Sequence, residues 1–134
     1  MSRENVEVVR RVAEAFTRGD MASVVGAVDP SIEWDLSRAA TWPEQRVYRG
    51  FEAVLEFFGE WSGSWEDYRF EVEEIVDAGE KVLVVVRDEG RSRATGITLE
   101  RRHGEVWTLR DGKVVRIDLF DSKAEAVEAV GLRE

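Results

Sequence analysis

Two carboxylates stand where a small acid/base site can be built. Asp35 closes the alternating stretch Ile32-Glu33-Trp34-Asp35, and Asp121 closes the last alternating stretch, which starts at Lys113. A carboxylate lodged in an apolar pocket has its pKa raised by desolvation, which makes it a better base near neutrality. Each residue also has a plainer reading. Asp35 can open a polar loop, as short polar residues do. Asp121 can sit before a final helix, where an acid favours the dipole. Glu100 and Arg102 form a third candidate, because they alternate with apolar neighbours. Facing a pocket, they would bind or polarise a carbonyl. Facing water, they are a cross-strand pair contributing well under about 1 kcal/mol.

Other chemistries lack their parts. The chain has no cysteine, hence no thiolate nucleophile and no thiolate-held zinc. His103 is the only histidine, too few for a metal cluster or for a triad without remote help. It is expected at the surface or an interface, and neither a metal nor a cofactor is implied. The net charge of −9 repels phosphate backbones and anionic membranes, which argues against nucleic-acid or membrane partners. The longest apolar run, Val82 to Val86, is far too short to span a bilayer. Mixed charge at the start predicts no signal peptide, so the expected location is cytoplasmic.

The elements that must position these residues follow from periodicity. Val9, Val12, Ala13 and Phe16 make one apolar stripe, which predicts a helix over 3–18. Gly19 ends it and Asp20 caps a second helix, over 20–28. A short strand over 32–35 and a loop over 36–49 come next. A helix over 51–61 then buries Val54, Leu55, Phe57, Phe58 and Trp61. From Asp67 the period is two. Turns are predicted at Asp77-Ala78-Gly79-Glu80, at Asp88-Glu89-Gly90 and, most strongly, at Asp111-Gly112. Gly104 suggests a bulge. Ser122 with Glu125 is a capping box for a last short helix. Helices followed by a strand meander predict one α+β domain over 1–134, an antiparallel sheet with helices on one face.

The Asp-Gly loop fixes a register, pairing Arg110 with Lys113. Leu109 then faces Val114, Thr108 faces Val115, Trp107 faces Arg116 and Val106 faces Ile117. The predicted pocket face carries Val106, Thr108, Val115, Ile117, Leu119 and Asp121. The opposite face carries Trp107, Leu109, Val114, Arg116, Asp118 and Phe120, too apolar for open water. A second copy of the chain is its simplest cover, through Trp107, Leu109, Val114, Arg116 and Phe120. Trp34, Trp42, Phe57, Phe58 and Trp61 are expected in the core or lining the pocket, with Trp42-Pro43 placed as a lid. The expected pocket lining therefore comprises these aromatics with Glu100, Arg102, Val106, Ile117 and Leu119.

The segments "AFTRGD", "VDPSIEWD", "YRGFEAVLEF" and "VWTLRDGKVVRIDLFDSKAEAVEAVGL" together resemble the SnoaL-like branch of the nuclear transport factor 2-like (NTF2-like) superfamily. The likeness covers nearly the whole chain. It implies a cone in which a curved antiparallel sheet holds the N-terminal helices on its concave face. A pocket between them and a dimer through the convex face are also implied. The superfamily spans isomerases, cyclases, hydrolases, dehydratases and binding modules, so fold does not name the function. By resemblance Asp35 matches the general base of the steroid isomerases, and Asp121 an acid/base residue of the polyketide cyclases. The isomerases' oxyanion partners are missing: Val12 replaces a tyrosine, and no acid stands at Gly104, although Glu105 lies one residue away. The expected function is cofactor-free acid/base chemistry on a small hydrophobic molecule: isomerisation, cyclisation or dehydration. The alternatives are a dimeric module that binds such a molecule without chemistry, and a protein-interaction domain.

Overall fold

The computed structural model describes residues 2–38 and 47–131. Helix α1 (Ser2–Arg18) buries Val8, Val9, Val12 and Ala15. It stops at Gly19, whose φ of 74° suits a residue without Cβ. Asp20 then accepts hydrogen bonds from the Ser23 backbone N–H (3.2 Å) and hydroxyl (2.7 Å), capping α2 (Met21–Ala27). The chain turns directly into β1 (Val28–Asp35), and a short strand β2 (Val47–Arg49) lies in the stretch read as loop. Helix α3 (Phe51–Gly63) follows. The long strands are β3 (Trp65–Ala78), β4 (Lys81–Ser92), β5 (Thr98–Arg110) and β6 (Lys113–Phe120), and α4 (Lys123–Ala129) closes the described chain.

The six strands form one sheet in the order β2-β1-β6-β5-β4-β3. It is mixed rather than antiparallel, because β1 runs parallel to β6. One face, the inner face, carries α1, α2 and α3 over the main core. There Val9, Val12 and Val24 meet Val82, Val84, Val114, Ile117 and Leu119. The other face is not bare. Helix α4 covers it with Ala126 and Val127 on Leu83, Val106 and Phe120. The N-terminal helices pack on one face as expected, and α4 adds a cover on the other.

Two local readings are also corrected. Asp88-Glu89-Gly90 is not a turn, since β4 runs on to Ser92. Gly90 is there for close approach: a Cβ would lie 3.1 Å from Trp65 Cβ and 3.3 Å from a Tyr68 ring carbon. Gly104 is not a bulge, since it pairs regularly with Val85 and Phe120. The bulge lies at Val115. Leu109 pairs with Val114, but Thr108 pairs with Arg116, so one residue is left over.

That extra residue exchanges faces. Trp107 pairs with Ile117 and Glu105 with Leu119 on the inner side. Val106 goes outward into the α4 cluster, so it does not line a pocket. Trp107 (4 % exposed), Leu109 (6 %) and Val114 (0 %) are buried in the main core. Phe120 faces outward but lies under α4. Of the five residues expected to form an apolar dimer face, only Arg116 is substantially accessible, and it holds carboxylates.

Gly104 marks where α4 crosses the sheet. A Cβ there would lie 2.6 Å from Ala126 Cβ, 3.0 Å from the Ser122 carbonyl oxygen and 3.2 Å from Lys123 Cα. None of these is a flexible side-chain end. Gly104→Ala should therefore destabilise the fold by about 1–3 kcal/mol through overpacking. Urea denaturation measures this, and adding Ala126→Gly should recover part of the loss.

Candidate functional site

The inner face of β5 is an alternation of polar and aromatic side chains. His103, Glu105 and Trp107 project to the same side, two residues apart, and line a cavity of about 40 Å3. Trp34, Phe57, Phe58, Trp61 and Leu119 complete much of the wall. Ile117 packs on the same face within the core. The aromatic wall is tightly set. Trp34 stands edge-on to Phe58 with ring centroids 4.7 Å apart, and Phe16 lies 5.2 Å from Phe58. Trp42 lies outside the described residues.

Three polar side chains in this wall are linked to one another by hydrogen bonds. Glu105 Oε2 lies 2.9 Å from His103 Nε2, and Glu105 Oε1 accepts the Trp107 indole N–H at 2.9 Å. His103 (4 % exposed) and Glu105 (6 %) are both buried. With a carboxylate as partner, Nε2 of a neutral His103 carries the proton and Nδ1 is the basic nitrogen.

A second buried set lies further along the same face. Asp88, fully buried, accepts from the Tyr68 hydroxyl at 2.7 Å and from Arg101 Nε and Nη2 at 3.0 and 3.2 Å. Arg101 stands over the Trp61 ring, 5.1 Å from its centroid. Burial first, then the Asp88 charge, pushes the Tyr68 phenol well above its ordinary range. Tyr68 is therefore a poor acid, and its proton is committed to Asp88.

The carboxylates singled out from the sequence lie elsewhere. On β1, Trp34 points inward while Glu33 and Asp35 point outward, in register with Arg116 and Asp118 of β6. Asp35 is buried, but on the far side of the sheet from the cavity. Its Oδ1 accepts the Ser37 backbone N–H at 2.8 Å and its Oδ2 accepts from Arg116. Arg116 also holds Glu33 (2.7 Å) and Asp118 (2.9 Å). Desolvation pushes the Asp35 carboxyl up, but the Ser37 hydrogen bonds and the Arg116 charge outweigh it and leave the pKa below the ordinary value. That is the opposite of a base tuned by an apolar pocket. Asp121 is half-buried where β6 meets α4 and is not part of the cavity wall. Glu100 and Arg102 are surface groups, paired with Arg87 (2.6 Å) and with Glu73 (2.6 Å) respectively. Among the described residues no group of three His, Cys, Asp or Glu could hold a metal, and no helix is long and apolar enough to cross a membrane.

His103 and Glu105 were missed as a pair because the uninterrupted register turned their strand outward. The signal available was His-x-Glu-x-Trp itself, three residues that must share one face. Asp88 was missed because Asp-Glu-Gly reads as a turn.

A model of the SnoaL-like domain matches residues 9–117. Among solved structures, the chain is similar to an NTF2-like protein from Burkholderia thailandensis. The identity is 28 %, covering 96 % of this chain and 98 % of that one, with a TM-score of 0.79. An NTF2-like protein from Burkholderia xenovorans is 26 % identical over 97 % and 98 % of the two chains, with a TM-score of 0.75. TerC, crystallised with polyporic acid, shares the fold at 20 % identity, covering 96 % and 98 %, with a TM-score of 0.73. No curated protein matches the chain in sequence.

The lowered Asp35 pKa gives a testable pH dependence. A carboxyl more acidic in the folded than in the unfolded chain stabilises the fold when ionised. The contribution is complete above about pH 4, the unfolded value, and fades as pH falls through the folded one. Asp35→Asn should cost about 1–3 kcal/mol at pH 7. Its deficit against wild type should shrink below about pH 4 in urea titrations. A deficit independent of pH would contradict the role of the ionised carboxylate.

Proposed function

Because the chain belongs to the SnoaL-like domain family, and its cavity wall carries a buried His103–Glu105 pair, we propose that it is a cofactor-free acid/base enzyme. Its substrate class is a small hydrophobic molecule with a carbonyl group, and its reaction is an isomerisation, cyclisation or dehydration. The buried pair is the observation that carries this reading. His103 Nδ1 takes a proton from the carbon next to the carbonyl, and the electron pair moves onto the carbonyl oxygen. The imidazolium so formed lies against the Glu105 carboxylate, whose charge stabilises it in a low-dielectric setting. The proton then returns to another carbon, or to a leaving hydroxyl that departs as water. Glu105 is a positioning residue: it fixes the tautomer and the ring, and Trp107 in turn fixes Glu105. The aromatic wall suits a flat apolar ligand, and the co-crystallisation of TerC with polyporic acid supports an aromatic one.

Asp35 is no part of this reading, because it lies across the sheet. The binding-module alternative shares the cavity and differs only in the absence of proton transfer. The test uses 2-tetralone, a ketone with acidic α-protons, in D2O. Wild type should speed deuterium uptake over buffer, followed by loss of the α-proton signals in NMR. His103→Gln should lower that acceleration by about 10²–10⁴-fold while the protein stays folded. Asp35→Asn should leave it unchanged under conditions where it is folded. Binding without exchange would move the protein to the binding-module class. Undiminished exchange in His103→Gln would end the role given to the histidine.

A further inference from the structure

We infer that the Trp34 indole N–H is a ligand-binding donor, and that it holds the oxygen of a carbonyl compound whose flat apolar body extends out of the inner cavity. Trp34 is 4 % exposed and lines the cavity, and its Nε1 has no hydrogen-bond partner among the described residues. A buried N–H left unmatched is costly, and most native ones are matched. Trp107 shows the ordinary solution in the same wall, its indole N–H given to Glu105. Trp34 cannot swing away to find a partner. Its ring is held edge-on by Phe58 at 4.7 Å and flanked by Phe57 at 6.4 Å. Trp65 also has an unmatched indole N–H, but it lies outside the cavity wall. An indole nitrogen only donates, so the ligand atom it recognises is an acceptor.

Size separates the ligand into two parts. The inner cavity, about 40 Å3, is far below the roughly 300 Å3 or more of ordinary ligand sites. It admits an oxygen and its neighbouring atoms, not a ring system. Beyond it, between α1, α2, α3 and β3, lies an open groove of about 710 Å3 that includes Met21 and Leu55. Phe16, Phe58, Tyr68 and Phe70 border both spaces. These four rings are the partition through which the carbonyl end passes, while the apolar body stays on Met21 and Leu55.

The hydrogen bond stands by itself. Its catalytic use rests on the proposed function: a donor at the carbonyl oxygen would stabilise the negative charge that forms there when His103 takes the α-proton.

The probes are 2-tetralone and tetralin, which differ by the carbonyl. In 15N-labelled protein, the Trp34 Nε1–H resonance, assigned in the wild type through the indole's NOE contacts with the Phe58 ring, should move downfield with 2-tetralone and stay in place with tetralin. Trp34→Phe should weaken 2-tetralone binding by about tenfold and leave tetralin binding unchanged. The wild-type measurement stands even if the variant does not fold. An indole signal that ignores the ketone, or answers both probes alike, overturns the inference, as does failure of either probe to bind. His103→Gln separates the two claims. A ketone-specific indole shift with exchange insensitive to His103 leaves this inference and ends the proton-transfer reading. Exchange dependent on His103 with a silent indole does the reverse.

Discussion

Val115 has no cross-strand partner, and the orientation of the final hairpin depends on that. Side chains of a strand alternate between faces, so one unmatched residue reverses which residues of β6 share a side with which residues of β5. Pairing begins at the Asp111-Gly112 turn, where both φ values are positive, at 51° and 76°, as a two-residue hairpin loop requires. Leu109 and Val114 set off together on the inner face. After Val115, Ile117 and Leu119 are again on the inner face, now opposite Trp107 and Glu105. Without the bulge, Ile117 would be paired with Val106 and Leu119 with Gly104, and the histidine would lie on the opposite face from them.

The outer face has its own consistency. Arg116 collects Glu33, Asp35 and Asp118 there, two of them from the parallel neighbour β1. Among the described residues this is the seam where the only parallel pairing is made, and the ion pairs cross it. A fully desolvated cluster of this kind gains little net stability. Here Arg116 keeps about a third of its side-chain surface in water, which lowers that desolvation cost. Further along the same face the salt bridges of Arg87, Arg102 and Lys123 line the sheet, and α4 takes the apolar remainder.

Much of the fold was legible because it is written in short-range chemistry. The stripe of α1, the Asp20 cap, the Asp-Gly hairpin and the Ser122 cap are all local, and all lie where the residues put them. The aromatic lining was legible too, since Trp34, Phe57, Phe58 and Trp61 are too large and apolar for another place. What could not be read was long-range. The parallel pairing of β1 with β6 joins residues some 80 positions apart. It alone decides that Asp35 faces Arg116 instead of the cavity. The two glycines misread as turn and bulge signals, Gly90 and Gly104, answer to Trp65 and Ala126, neighbours that no local pattern reveals.

The polar pairs on the two faces are built alike, which shows what separates a structural pair from one suited to chemistry. Residues two apart on a strand stand on one face roughly 6.6 Å apart, close enough for long side chains to meet. Arg116 and Asp118 do so on the outer face, and His103 with Glu105 on the inner one. The first pair joins unlike fixed charges in partial contact with water, so solvent screens it and no proton moves. The second joins a titratable ring to a carboxylate among aromatic side chains, where a change of charge on the ring is felt strongly by its partner. Composition and spacing are nearly the same in the two cases. The bulge at Val115 and the helices over the inner face determine which pair loses contact with water, and therefore in which one a change of charge would be felt most strongly.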